Sequence, residues 1–224
     1  DPDEIYFSVL KALADVLIAN NIKTGDIESI GITNQRETTI VFDKNTLRPL
    51  HPAIVWQCRR TEEICKREVF QNRIDEITNK TGLKLDPYFS ATKMVYVFEN
   101  VVGSREKAQA GEVYCGTVDS YLIYRLTNKT SFKTDYSNAS RTMLFNINTL
   151  SYDDELLNLF GIPKCCLAEP MKSSADYGEV YLKNNEIPLS SAEVDALMCL
   201  NGVHITGVAG DQAAALFGQT CYTK

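Results

Sequence analysis

The sequence is poor in the residues that build metal centres. Its 224 residues include only two histidines, His51 and His204, and no Cys-x-x-Cys pair. Structural zinc sites take their ligands mainly from such cysteine pairs and from histidines. The sequence therefore argues against a zinc-binding protein.

Long apolar runs and an excess of positive charge are also missing. No wholly apolar run exceeds five residues, whereas a membrane-spanning helix needs about 20. The 23 Lys and Arg residues are outnumbered by 29 Asp and Glu residues, which gives a net charge of −6. Because proteins that bind nucleic acid or anionic membranes usually carry a basic surface, we expect no nucleic-acid partner and no membrane span.

Three common catalytic signatures are absent as well. The sequence contains neither a GxxxxGK phosphate loop, nor a GxGxxG dinucleotide motif, nor the GxSxG motif of many hydrolases. Its composition, 44% hydrophobic and 23% charged residues, is nevertheless that of a folded globular protein. A function has to be sought in other patterns.

The cysteines show no regular spacing. Their number, seven, is odd, whereas a secreted disulfide framework usually has an even set. We therefore predict seven reduced thiols in a cytoplasmic protein. Because the sequence begins at Asp1 without a methionine and stops directly after an apolar helix, we expect a fragment of a longer polypeptide.

Hydrophobic periodicity predicts alternating helices and strands. Strands are predicted over 30–33, 38–43, 53–56 and 203–208, with a hairpin turn at 43–46. Helices are predicted over 3–19, 61–70, 72–80, 91–100, 118–126, 153–160 and 211–218, with Ser90 as the N-cap of the fourth. This order favours an α/β fold with a mixed sheet flanked by helices, while 183–202 shows no clear periodicity.

The first candidate site is the polar segment Thr33–Thr38, which lies between two predicted strands. Side chains at strand ends of α/β proteins commonly face the ligand crevice. The adjacent Arg36 and Glu37 supply a donor fork and an acceptor, and together they can bind vicinal hydroxyl groups. A solvated loop with a surface ion pair fits the sequence equally well.

Two further candidates are Asp211 and the single tryptophan, Trp56. Asp211 follows a predicted strand and Gly210, where a carboxylate is placed to take a proton from a hydroxyl nucleophile. An ordinary aspartate N-cap is the more frequent use of such a residue. Trp56 fits either core packing or the wall of a pocket.

Six segments, in this order and with these spacings, resemble the glycerol kinases of the FGGY carbohydrate kinase family. The segments are SIGITNQRETT (29–39), AIVWQCRRT (53–61), DPYFSATK (86–93), GTVD (116–119), NASRTMLFN (138–146) and GVAGDQAAALFGQ (207–219). The resemblance implies a domain of the actin-like, RNase H-like ATPase superfamily. It also implies ATP-dependent phosphorylation of glycerol to sn-glycerol 3-phosphate, with ATP and Mg²⁺ as cofactors.

The resemblance also implies roles for individual residues. Asp211 would be the catalytic base, and the substrate would be bound by Arg36, Glu37, Trp56, Tyr88, Asp211 and Gln212. Residues 1–219 would form most of the family's N-terminal domain without its first phosphate-binding hairpin. Residues 220–224 would begin the link to a C-terminal domain.

The expected partners are glycerol and ATP, in a parent protein that is a homo-oligomer, with this chain alone inactive. Two alternatives stay open at this point. One is a kinase for another polyol or sugar, and the other is a non-catalytic polyol-binding module.

Overall fold

The computed structural model describes residues 1–221, apart from the side chain of Asn185. The described strands are β1 (Ser29–Asn34), β2 (Thr39–Asp43), β3 (Val113–Thr117), β4 (Lys133–Asp135), β5 (Phe145–Asn146), β6 (Ser151–Tyr152), β7 (Glu169–Met171) and β8 (His204–Gly210). The described helices are α1 (Pro2–Ala19), α2 (Glu62–Cys65), α3 (Glu68–Gln71), α4 (Ile74–Thr81), α5 (Ser90–Asn100), α6 (Ser104–Gln109), α7 (Val118–Leu126), α8 (Tyr136–Ala139), α9 (Asp154–Phe160), α10 (Ser191–Leu197) and α11 (Asp211–Gly218). Most of the predicted link lies outside the described residues.

Parallel and antiparallel strand pairs occur together. Strands β1 and β8 pair in parallel, as do β4 and β7, whereas β2 with β3 and β5 with β6 are antiparallel. The edge of β8 that faces away from β1 forms hydrogen bonds with the irregular segment 173–177. The Val208 N–H donates to the Ser173 carbonyl, and the Tyr177 N–H donates to the Ile205 carbonyl, both at 2.9 Å. The mixed α/β class predicted from the sequence is confirmed.

Helix α1 forms where hydrophobic periodicity predicts it. The Asp1 side chain caps its first turn by accepting the Asp3 N–H at 2.8 Å, and a proline occupies the first turn, a position that needs no N–H. Its apolar stripe, Tyr6, Leu10, Ala14 and Leu17, is buried against the core. Among residues 1–221, no helix is long and apolar enough to cross a membrane.

Strand β2 separates two hydrophobic cores. Val41 packs into one core, with α5 and α9, while Ile40 and Phe42 pack into the other, with α1 and α7. This division follows from the alternation of side chains along a strand. Because β2 is anchored on both faces, the polar loop that precedes it is held on a rigid support.

Three predictions of local structure are wrong. Residues 53–56 form no strand, since only Ile54 bridges to Thr39 and a turn closed by the Cys58 N–H on the Val55 carbonyl at 3.0 Å follows at once. The helix predicted over 61–70 is two short helices, because Arg67 adopts an extended conformation between them.

The N-cap prediction for Ser90 is also wrong. Phe89 occupies the cap position, so Ser90 is the first residue inside α5 and its buried hydroxyl forms no hydrogen bond in the described part of the chain. In the segment without clear periodicity, α10 begins at a capping box formed by Ser190 and Glu193. The Ser-x-x-Glu pattern that marks such a box was present in the sequence.

Candidate active site

The carboxyl ends of β1 and β8 bring the two polar segments of the sequence together. Asn34 lies opposite Gly210 in the parallel register, so the loop after β1 and the first turn of α11 share one edge of the sheet. There the Arg36 Nε lies 3.2 Å from the Asp211 Oδ1. The carboxylate is half exposed, at 51%, while the Arg36 side chain is mostly covered.

A glycine at position 210 is required by this ion pair. A Cβ atom there would lie 2.2 Å from the Cδ and 2.3 Å from the Cγ of Arg36. The Gly210 N–H donates to the Ser137 Oγ at 2.8 Å. Gly210 holds the N-cap position and Asp211 is the first residue of the helix. Asp211 is therefore not the N-cap of α11.

Glu37 is buried beside a second arginine. Its side chain is 3% exposed and its Oε1 accepts a hydrogen bond from the Arg141 Nε at 2.6 Å. The Arg141 guanidinium also lies 5.7 Å from the centre of the Tyr88 ring. Burial and the Glu37 carboxylate raise the pKa of Tyr88, against the opposing charge of Arg141.

Tyr88 and Trp56 form an aromatic corner. Their ring centres are 5.7 Å apart in an edge-to-face arrangement, and Trp56 stays 37% exposed. Asp86 connects the loop that holds Tyr88 with the loop that follows Trp56. Its Oδ1 accepts hydrogen bonds from the Tyr88 N–H at 2.8 Å and from the Arg59 Nη1 at 3.1 Å. The tryptophan is thus part of an accessible surface and not of the core.

Lys93 lies behind Glu37 and Tyr88. Its side chain is 0% exposed, and its Nζ donates to the Glu37 carbonyl at 2.7 Å and to the Tyr88 carbonyl at 2.6 Å. Burial lowers the pKa of this ammonium to about 8, although Glu37 opposes the shift.

A buried polar network supports the edge from below. The fully buried Asp119 accepts from the Thr134 Oγ1 at 2.6 Å and from the Asn34 Nδ2 at 3.3 Å, and burial raises its pKa to about 6. Asp135 accepts the hydroxyl proton of Ser137 at 2.7 Å, the same serine that receives the Gly210 N–H. The network therefore fixes the backbone on which Asp211 begins α11.

Of the six predicted site residues, Asp211 forms an ion pair with Arg36. Glu37 and Tyr88 both contact Arg141, and the Tyr88 ring packs against Trp56. The sixth candidate, Gln212, is adjacent only through its backbone, whose N–H donates to the Asp211 Oδ1 at 2.9 Å. Its side chain is exposed. No group of three or more His, Cys, Asp or Glu side chains among residues 1–221 is arranged to hold a metal ion.

Sequence reasoning assigned no role to Arg141 or Lys93. For Lys93 a signal was available, because it is the only charged residue between Ser90 and Phe98 in the predominantly apolar helix α5, and isolated charges on a buried face are rare unless they have a partner. For Arg141 the sequence offered no comparable signal, since its contact with Glu37 depends on the tertiary fold.

The model of the FGGY family of carbohydrate kinases, N-terminal domain, matches residues 1–218. The chain is 53% identical over 224 residues to a glycerol kinase of Oceanobacillus iheyensis and 48% identical to one of Staphylococcus epidermidis. In both comparisons the match covers 100% of the chain and 42% of the relative. The chain therefore spans less than half the length of these relatives.

Solved structures show the same fold. A crystal structure of Plasmodium falciparum glycerol kinase with ADP superposes with a TM-score of 0.85 at 32% identity, over 100% of this chain and 42% of that one. A gluconate kinase from Lactobacillus acidophilus superposes with a TM-score of 0.75 over 94% of this chain and 39% of that one. At 23% identity the second likeness concerns the fold alone.

Proposed function

The chain belongs to the FGGY family of carbohydrate kinases, and on that premise we propose that the protein phosphorylates glycerol to sn-glycerol 3-phosphate with ATP as donor. The family assignment and the actin-like α/β fold class agree with the resemblance found in the sequence. The observation that carries the proposal is the meeting of Arg36 and Asp211 at the edge formed by β1 and β8. Relatives named glycerol kinase match the whole chain and support the choice of substrate.

In this proposal, three groups bind the polyol and orient it. Arg36 donates to a hydroxyl oxygen and Glu37 accepts a hydroxyl proton, so the pair recognises neighbouring hydroxyls. Because Arg141 occupies the Oε1 of Glu37, the Oε2 is the oxygen left for substrate. The Tyr88 hydroxyl adds a third polar contact.

Trp56 supplies an apolar wall for the carbon chain in this proposal. Its half-exposed ring stands edge-to-face against Tyr88, and a small hydrophobic surface among polar groups is typical of small-molecule sites. Holding the substrate in one orientation lowers the entropic part of the barrier.

Asp211 acts as the general base. Its carboxylate stands at the N-terminal end of α11, where the helix dipole stabilises negative charge, and its exposure lets a substrate reach it. As the terminal hydroxyl oxygen forms its bond to the γ-phosphorus, its proton passes to Asp211, and the bond from that phosphorus to the β,γ-bridging oxygen breaks to release ADP. Gln212 follows directly and is proposed to contact the substrate.

ATP and Mg²⁺ are proposed to be bound mainly by residues outside this chain. The sequence has no GxxxxGK phosphate loop, and the chain covers 42% of the relatives it matches. Mg²⁺ is usually held by one or two carboxylates together with substrate phosphates, and no step is assigned to the ion. The cytoplasmic location and the homo-oligomeric state stay predictions.

The test is substrate-dependent ADP formation by the full-length protein, with glycerol, xylulose and gluconate compared at equal concentrations. We expect the largest kcat/KM for glycerol. A larger kcat/KM for either of the other substrates would favour a kinase of different specificity, and no turnover with any of them would favour a binding module.

A further inference from the structure

We propose that Lys93 and Arg141 are positioning residues that set Glu37 and Tyr88 at the distance and orientation a polyol requires. This inference rests on the proposed function, because it takes Glu37 and Tyr88 as substrate-binding groups. Each cation reaches both residues, Lys93 through the backbone and Arg141 through the side chains.

The Lys93 ammonium joins two loops that are distant in sequence. Glu37 precedes β2 and Tyr88 precedes α5, yet their carbonyl oxygens lie 2.7 Å and 2.6 Å from the same Nζ. Both partners are backbone carbonyls and not carboxylates, so the contact fixes the course of the main chain. A buried ammonium without hydrogen-bond partners is destabilising, and here two of its three N–H donors are used on these two loops.

Arg141 fixes the side chains of the same two residues. Its Nε donates to the Oε1 of Glu37 at 2.6 Å, a charge-assisted bond of the stronger class. Its guanidinium lies 4.8 Å from the centre of the Phe89 ring and 5.7 Å from that of Tyr88. The carboxylate is thereby held with one oxygen engaged, and the neighbouring phenol is held beside it.

Neither cation needs to touch the substrate to affect its binding. Lys93 has no exposed surface, which makes it a positioning residue and not a catalytic one. A displacement of about 1 Å in a binding group is enough to cost a large part of its contribution. Loss of either cation should therefore weaken glycerol binding and leave ATP binding unchanged.

The experiment uses the full-length protein and the variants Lys93→Met and Arg141→Met. Lys80→Met is the matched control, because this substitution also removes several contacts of a lysine, those with Glu76, Asp153 and Glu155, and none of these is a proposed site residue. KM for glycerol, KM for ATP, kcat and the thermal midpoint are measured for each. We expect the glycerol KM to rise at least about tenfold in both site variants while the ATP KM stays within about twofold. Lys80→Met should lower the midpoint only.

Several results would overturn the inference. One is an unchanged glycerol KM in the folded variants, and another is an equal rise of both KM values. If Lys93→Met does not fold, the neutral and shorter Lys93→Gln takes its place, with the same rise in glycerol KM expected because its side chain is too short to hold both carbonyls as Lys93 does. Failure of both variants to fold would show that the lysine serves the fold alone. Absence of glycerol turnover in the unmodified protein would instead reject the proposed function, and this inference with it.

Discussion

A single methyl group at Gly210 should separate Arg36 from Asp211. The glycine has φ −61° and ψ 153°, which alanine adopts without strain, so the effect comes from contacts alone. The new Cβ would lie 2.2 Å from the Cδ of Arg36, whereas carbon atoms in contact are about 3.5–4.0 Å apart. The arginine side chain must therefore retreat by more than about 1 Å, and the 3.2 Å ion pair is lost.

The size of the effect follows from the displacement of Arg36, which in the proposed function donates a hydrogen bond to the substrate. A hydrogen bond to a charged group contributes about 1.5–3 kcal/mol, so its loss corresponds to a rise in glycerol KM of roughly 10- to 150-fold. Overpacking should also lower the free energy of unfolding by about 1–3 kcal/mol. The assay is glycerol-dependent ADP formation by the full-length Gly210→Ala protein, with chemical unfolding measured alongside.

The matched control is Gly31→Ala on the paired strand. A Cβ at Gly31 would meet only the Gly207 carbonyl oxygen, at an ordinary 3.9 Å, so both measurements should stay close to those of the unmodified protein. A glycerol KM within twofold of the unmodified value in Gly210→Ala would refute the placement of Arg36 in the substrate site.

Three further predictions concern other groups. Glu37→Gln should weaken glycerol binding by one to two orders of magnitude, because a charge-assisted hydrogen bond is lost; titration calorimetry showing unchanged affinity in a folded variant would contradict it. Burial lowers the pKa of Lys93 from 10.5 to about 8, so between these pH values the unfolded chain binds more protons than the folded protein. The free energy of unfolding of the unmodified protein should therefore rise from about pH 8 to pH 10.5 relative to that of Lys93→Met. A difference between the two proteins that stays flat or falls over this range would be inconsistent with the burial. All seven cysteines are free thiols, and titration with a thiol reagent under denaturing, non-reducing conditions should count seven, whereas five or fewer would disprove the prediction.

The elements that carry the site were predictable because their signals are local. The alternation of strands and helices around β1 and β8, with polar residues directly after each, places Arg36 and Asp211 at one edge of a parallel pair. Helix α1 follows from a regular apolar stripe in the same way. In each case the periodicity of the burial pattern agrees with the structure that the segment adopts.

The failures have a common physical cause. Residues 53–56 are apolar enough for a strand, but only Ile54 finds a partner on β2 before the chain turns. Lys93 and Arg141 both contact Glu37, which lies 56 and 104 positions away from them in sequence. The isolated charge of Lys93 in an apolar helix marks a buried lysine but not its partners, and Arg141 has no local signal at all. The partners are set by the tertiary fold, which determines how Glu37 and Tyr88 are held.

The proposed catalytic role of Asp211 is tested most directly by Asp211→Asn in the full-length protein. The change is nearly isosteric, and since Gly210 holds the N-cap position, the thermal midpoint should stay close to that of the unmodified protein. General-base assistance contributes typically 10²–10⁴-fold, and because it acts in the transition state, kcat should fall by about that factor. A variant that keeps most of its kcat, or that loses activity only by unfolding, would contradict the account.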